Sequence, residues 1–95
     1  MEITAPAEGL KAICKKLGNQ YSIRLFDLEQ VIYRNFGNGY DVEVSGLNHN
    51  KENFNATIYV WNARKPLIVE KFKNINSFEM LENTISEITA KYSAL

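Results

Sequence analysis

Two segments in the middle of the chain alternate apolar and polar residues with a period of two, and this pattern limits the fold more than any other feature. Residues 40–45 alternate cleanly, and residues 55–62 repeat the pattern with every second side chain apolar. Because successive side chains of a β-strand point to opposite faces, both segments are predicted to be half-buried strands. A third strand is predicted at 67–72, after a turn at 63–66.

Apolar residues at helical spacing flank these strands on both sides. The first helix is predicted from a stripe formed by Leu10, Ile13, Cys14 and Leu17. It is predicted to be capped by Thr4 and ended by Gly18. The last helix is predicted over 77–93 from a stripe formed by Phe78, Leu81, Ile85, Ile88 and Tyr92. Asn76 and Glu79 have the spacing of a capping box at its start.

Residues 21–37 permit two interpretations. In one, Asp27 caps a short helix that Gly37 ends; in the other, residues 31–36 form a strand that turns back at Asn38-Gly39. We favour the hairpin, because Asn-Gly between apolar runs is the strongest short-range hairpin signal. It also allows a short additional strand at 21–25.

Together these elements predict one α+β domain over residues 1–95. It has an antiparallel, three- to four-stranded meander sheet, with an N-terminal and a C-terminal helix packed on one face. A two-residue turn at Asn38-Gly39 would place Arg34 directly opposite Glu43.

In this register, strand parity assigns each side chain to a face of the sheet. The predicted core face carries Val31, Tyr33, Val42, Val44, Ala56, Ile58, Val60, Leu67 and Val69. The opposite face mixes large aromatic side chains with charged ones, including Asp41, Glu43, Ile68 and Glu70. An apolar patch rimmed by charge is typical of an interaction site, and Trp, Tyr and Arg are typical hot-spot residues. The predicted partner-binding residues are Arg34, Phe36, Tyr59, Trp61 and Phe72.

Cross-strand packing is the competing explanation for these aromatic residues. Tyr and Trp are favoured in strands for structural reasons alone, and aromatic pairs stabilise sheets. Partner docking and structural packing therefore both stay open at this point.

The charge balance disfavours a default role in nucleic-acid binding. Eleven Lys and Arg residues balance eleven Asp and Glu residues in a chain of 95, whereas phosphate backbones are bound mainly by clustered basic residues. The alternative hypothesis is nucleic-acid binding through Lys11, Lys15 and Lys16 with Arg24 or Arg64 nearby.

Chemistry-bearing residues are few, and each has a structural explanation. Cys14 lies on the apolar stripe of the first helix, where a cysteine behaves as a small inert hydrophobe. His49 is the sole histidine and is predicted to lie in a surface loop. Asp41 and Glu43 share a strand face, but the predicted pairing of Glu43 with Arg34 explains them without catalysis. We expect no catalytic residue, no metal site and no cofactor.

The expected function is that of a small non-catalytic protein-binding module. The sequence has no apolar run near the roughly 20 residues that cross a bilayer and no secretory signal, so a cytoplasmic location is expected. Its richness in Asn, Lys, Ile and Tyr is typical of a low-GC bacterium or its phage. By size it resembles mobile-element accessory proteins, such as inhibitors of a host nuclease. The expected partner is another protein or a second copy of the chain, and no membrane.

Overall fold

Two helices and five antiparallel strands follow one another in the computed structural model, which describes residues 8–47 and 54–95. The helices are α1 (Glu8–Leu17) and α2 (Phe78–Tyr92); the strands are β1 (Ser22–Phe26), β2 (Glu29–Asn35), β3 (Tyr40–Ser45), β4 (Ala56–Asn62) and β5 (Leu67–Ile75). Each strand pairs with its neighbour in sequence, so the sheet is a meander in the order β1-β2-β3-β4-β5. The predicted α+β class and meander are confirmed. The predicted count of three to four strands is wrong, because residues 22–35 form two strands.

The helices begin and end where local signals place them, with one exception. α1 ends before Gly18, which takes a φ of 117° that favours glycine. α2 is capped by Ser77, whose hydroxyl accepts a hydrogen bond from the Met80 amide at 3.1 Å. The predicted cap at Asn76 is therefore wrong by one residue, and the predicted cap at Thr4 lies outside the described residues. Among the described residues, neither helix is long and apolar enough to span a membrane.

Both helices contribute to one apolar core on one face of the sheet. The buried sheet residues of this core include Ile32, Val42, Val44, Ile58 and Val60. α1 adds Leu10 and Cys14, and α2 adds Leu81, Ile85, Ile88 and Tyr92. Each fully buried aliphatic side chain contributes about 1.5–3 kcal/mol of transfer free energy. The core therefore holds both helices against the same side of β2, β3 and β4.

The segment that sequence alone left open forms the hairpin β1–β2. Phe26 pairs with Glu29, so Asp27 and Leu28 make a two-residue turn in which both have positive φ, 49° and 67°. This is the backbone of a type I′ turn, whose twist matches that of the flanking strands. The strand interpretation of 31–36 is confirmed in β2, which pairs with β3 as predicted, and the alternative helix capped by Asp27 is wrong.

The β2–β3 turn is one residue longer than predicted, and this changes the register. The Phe36 amide donates to the Tyr40 carbonyl at 3.0 Å, which leaves three residues in the loop. Gly37 and Gly39 take the positive φ values there, 82° and 97°. The Asn38 side chain accepts from the Tyr40 amide within the turn and donates to the backbone oxygens of Tyr92, the last residue of α2, and of Leu95.

A one-residue shift moves every side chain of a strand to the other face. Tyr33, not Arg34, lies opposite Glu43, and Arg34 lies opposite Val42. The predicted Arg34–Glu43 pair is therefore wrong, and so is the predicted position of Val31 and Tyr33 on the core face.

A second change of parity occurs in β5. Trp61 pairs with Ile68 but Val60 pairs with Glu70, so Val69 is the extra residue of a β-bulge. Beyond the bulge Phe72 lies opposite Ile58 and packs against the core. Glu70 accepts hydrogen bonds from Lys91 and Tyr92 of α2. The prediction that Glu70 and Phe72 lie on the face away from the helices is wrong.

Candidate functional site

The five predicted partner-binding residues are divided between the two faces of the sheet. Tyr59 and Trp61 lie opposite Glu43 and Asp41 on the face turned away from both helices, which we call the open face. Its central residues are Tyr33, Asp41, Glu43, Tyr59 and Trp61.

Arg34, Phe36 and Phe72 lie on the face that the helices cover. Phe36 and Phe72 are partly buried against the core. The Arg34 guanidinium lies 4.7 Å from the ring centroid of Phe36 and 5.4 Å from that of Tyr21. These three side chains therefore pack at the margin of the core. Partner binding by any of the five residues stays a prediction.

A cavity of about 450 Å³ opens on the open face. Its walls include the side chains of Phe26, Tyr33, Asp41, Glu43 and Trp61. The β1–β2 and β4–β5 turns also border it, although successive turns of a meander lie at opposite ends of the sheet. The first hairpin therefore bends across the open face and makes it concave, which is the usual shape of a binding site.

Aromatic rings form the apolar part of this cavity. The Phe26 and Tyr33 rings meet edge to face, with centroids 5.7 Å apart, and the Tyr59 and Trp61 centroids are 6.5 Å apart. Such pairs contribute about 0.5–1.5 kcal/mol beyond their buried area. The rings are thus held in position by each other as well as by the strands.

Each of the two central carboxylates accepts a hydrogen bond from an aromatic side chain. The Tyr33 hydroxyl donates to Oδ2 of Asp41 at 2.5 Å, and the Trp61 indole nitrogen donates to Oε1 of Glu43 at 3.2 Å. These bonds orient the carboxylates relative to the ring faces.

Asp41 has one oxygen left over. The residue is only 9% exposed, and its Oδ1 is buried with no hydrogen-bond partner. A buried acceptor without a partner costs about 1–3 kcal/mol, more for a charged group. Natural proteins seldom keep such an atom without a reason.

The electrostatic environment of the cavity is negative. Burial raises the pKa of Glu43; the hydrogen bond from Trp61 opposes the rise, and the charges of Glu29, Asp41 and Asp27 add to it. Burial and the bond to Asp41 also raise the pKa of Tyr33 to about 12. Tyr33 is therefore a hydroxyl donor at physiological pH, and the carboxylates around it repel one another.

Two cationic side chains of the chain make cation–π contacts with rings of the open face. The Arg24 guanidinium lies 5.1 Å from the Tyr33 centroid, and the Lys71 ammonium lies 5.4 Å from the Tyr59 centroid. A cation over a ring face is attracted by the ring quadrupole, by about 0.5–1 kcal/mol at exposed sites. Two of the rings of the open face therefore already contact cations of the chain itself.

The other candidate residues do not join this site. Cys14 is buried in the core, and burial raises the pKa of its thiol. Lys11 and Lys15 border a separate cavity beside α1, whereas the Lys16 ammonium lies 5.1 Å from the Phe78 centroid. Arg24, on the open face, is on the opposite side of the sheet from these lysines. His49 lies outside the described residues.

Two residues that line the cavity, Phe26 and Tyr33, were not predicted from the sequence to lie on this face. The signal that could have found Tyr33 is Gly37: a second glycine beside Asn38-Gly39 permits a three-residue loop and hence the other register. Phe26 carries no comparable signal, because its position depends on how the first hairpin bends.

In the part of the chain that the structure describes, no group of three or more His, Cys, Asp and Glu side chains is arranged to hold a metal ion. No family model matches the chain, and no curated protein or solved structure is significantly similar to it.

Proposed function

We propose that the chain is a small non-catalytic domain that binds a partner protein through its open face. The observation that carries this proposal is the concave, aromatic and acidic cavity around Trp61, on a face that neither helix covers. Aromatic residues in pockets dominate the binding energy of protein interfaces.

The rim of the cavity supports the proposal. Leu28, next to Asp27 of the cavity wall, is 81% exposed and is held at a φ of 67°. A non-glycine residue in this region costs about 1–2 kcal/mol. Strain of this kind tends to cluster at functional sites. An exposed leucine at the tip of a strained hairpin is well placed to contact a docked protein.

The charge of the open face favours a foreign partner over a second copy of the chain. A symmetric dimer centred on the cavity would place Asp41 and Glu43 against the same residues of the other copy. Like charges that face each other across an interface cost several kcal/mol. A partner with a basic surface has no such cost, as expected for an inhibitor that binds a nuclease.

The carboxylates of the cavity are held in place by aromatic donors, which suits a binding surface. Asp41 and Glu43 each accept a hydrogen bond from a side chain that keeps its proton at neutral pH, Tyr33 or Trp61. A cytoplasmic location and a bacterial or phage origin are part of the same proposal and are supported by composition.

The test compares binding by the folded full chain and by matched variants. The immobilised wild-type chain is used to capture proteins from a lysate of the source organism, and the captured protein is then purified and titrated by calorimetry. Trp61→Ala and Tyr59→Ala should weaken its binding, by about 30-fold for a hot spot worth 2 kcal/mol. Glu87→Ala, an exposed residue of α2, is the matched control and should bind as the wild type does.

Circular dichroism establishes that each variant is folded before it is titrated. Wild-type affinity in folded Trp61→Ala and Tyr59→Ala would contradict the proposal. If Trp61→Ala unfolds the chain, Trp61 is a structural residue, and the proposal then depends on Tyr59→Ala alone.

A further inference from the structure

We propose that the cavity on the open face receives an arginine side chain of the partner protein. This inference rests on the proposed function, because it names the chemical group by which the partner is recognised. It is carried by three features of one cavity: its aromatic side chains, carboxylates that form no ion pair with a cation of the described residues, and Asp41, whose buried Oδ1 has no partner.

The carboxylates around the cavity form no ion pair with a cation in the described part of the chain. Asp27, Asp41 and Glu43 border the cavity, and Glu29 is close enough to raise the pKa of Glu43. Within residues 8–47 and 54–95, no lysine or arginine forms an ion pair with any of these four carboxylates, whereas Glu70 is paired with Lys91. A positive charge in the cavity would relieve the repulsion among them.

The ring faces favour an organic cation over a metal ion. Phe26, Tyr33 and Trp61 line the cavity together with the carboxylates, and aromatic cages of this composition bind cations by their quadrupoles. A metal ion would need oxygen ligands on several sides.

A guanidinium group fits this combination better than an ammonium group. It is flat and weakly hydrated, so it stacks on rings, and its five N–H donors can serve several acceptors at once. Asp41 and Glu43 border the cavity from neighbouring positions of one strand face, and within the described residues each uses one carboxylate oxygen in a side-chain hydrogen bond. Arg24 over Tyr33 is an example of the same stacking within the chain.

The occupant is a protein side chain and not a nucleic acid. The phosphates of a nucleic acid would approach the same carboxylates and be repelled. Desolvated, hydrogen-bonded arginines are among the residues that dominate protein interfaces.

The single tryptophan of the chain provides a specific probe. The Trp61 indole N–H, which donates to Glu43, gives one resolved cross-peak in an NMR spectrum of the ¹⁵N-labelled full chain. The ligands are the peptide acetyl-Gly-Arg-Gly-amide and its citrulline analogue, which has the same shape without the charge. The arginine peptide should shift the indole cross-peak with millimolar affinity, and the citrulline peptide should leave it in place.

Two variants test whether the shift of the indole cross-peak comes from peptide bound in the cavity. Glu43→Gln keeps a hydrogen-bond acceptor for the Trp61 indole but removes the negative charge. Because a charge-assisted hydrogen bond is lost, this variant should bind the arginine peptide at least about tenfold more weakly than the wild type does. Glu87→Gln removes an exposed carboxylate from α2 and should bind the peptide as the wild type does. No shift with the arginine peptide, an equal shift with the citrulline peptide, or wild-type affinity in Glu43→Gln would overturn the inference.

Titrations of the variants with the purified partner distinguish failure of this inference from failure of the proposed function. If the partner requires Trp61 but binds Glu43→Gln as tightly as the wild type, the open face is a docking surface that does not recognise arginine. If it binds Trp61→Ala and Tyr59→Ala with wild-type affinity, the proposed function itself fails.

Discussion

Replacing Glu43 by glutamine should stabilise the folded chain while it weakens the proposed site. Burial, opposed by the bond from Trp61 and increased by nearby carboxylates, raises the pKa of Glu43 above its unfolded value. The folded state therefore binds this proton more tightly than the unfolded state does. The contribution of Glu43 to the free energy of unfolding accordingly falls as the pH rises through that pKa. At pH 7 the ionised side chain is a cost that glutamine removes.

The size of the effect follows from the geometry of β3. Asp41 and Glu43 are two residues apart on one strand face, so their charges are about 7 Å apart. Their repulsion is about 0.6 kcal/mol in a water-like dielectric and about 2.4 kcal/mol at an effective dielectric of 20. Because Glu43 is only half-buried, we expect a gain of about 1 kcal/mol, which raises Tm by roughly 4–8 °C in a domain of this size.

Thermal and urea unfolding at pH 7 and pH 3, followed by circular dichroism, measure this gain. The advantage of Glu43→Gln should disappear at pH 3, where the wild-type carboxyl is protonated in both states. Glu70→Gln is the matched control of opposite sign, since hydrogen bonds from Lys91 and Tyr92 hold the pKa of Glu70 below its usual value. Its carboxylate stabilises the fold above its unfolded pKa, so this variant should lose stability at pH 7. A destabilised Glu43→Gln, or a gain that persists at pH 3, would show that the charge of Glu43 does not destabilise the fold.

Three further local features, the β1–β2 turn, the Asn38 side chain and the cap of α2, are tested by urea unfolding of single variants. Leu28→Gly should raise the free energy of unfolding by about 0.5–1 kcal/mol, because relief of the positive φ exceeds the entropy cost of glycine; a loss would mean that the turn is unstrained. Asn38→Ala should lower it by about 1–2 kcal/mol, since two hydrogen bonds to the end of α2 are lost; no change would mean that these bonds do not form in solution. Ser77→Ala should lower it by about 1 kcal/mol, whereas Asn76→Ala should have little effect; the reverse order would move the cap back to Asn76.

The parts of the fold that sequence could predict are those with a strong local period. The alternation in β3 and β4 depends on one buried and one open face, and the structure has the same parity at Val42, Val44, Ile58 and Val60. The apolar stripe of α2 is equally local. Because these elements carry most of the core, the α+β class followed from them.

The errors occur where a single residue decides the parity of a whole strand. Asn38-Gly39 is a strong signal for a two-residue turn, but Gly37 can also adopt a positive φ and so permits a three-residue loop. In that loop the Asn38 side chain donates a hydrogen bond to the carbonyl of Tyr92 at the end of α2. This tertiary contact has no local sequence signature. The bulge at Val69 lies in an apolar run with no glycine or proline to mark it.

These two changes of parity decide the composition of the candidate site. They move Arg34 and Phe72 to the helix-covered face and bring Tyr33 to the open face. Tyr59 and Trp61 were predictable because β4 has a regular register with β3.

Tyr33, Asp41, Glu43 and Trp61 line one cavity on the open face only if the β2–β3 register is the one described. Tyr33 and Glu43 form a non-hydrogen-bonded pair in this register, so their Cα atoms are about 4.5 Å apart and their α-protons are in contact. A nuclear Overhauser spectrum of the labelled chain should show a strong cross-peak between these two α-protons. A cross-peak from the Arg34 α-proton to that of Glu43 in its place would mean that Tyr33 lies on the core face and that this cavity does not form.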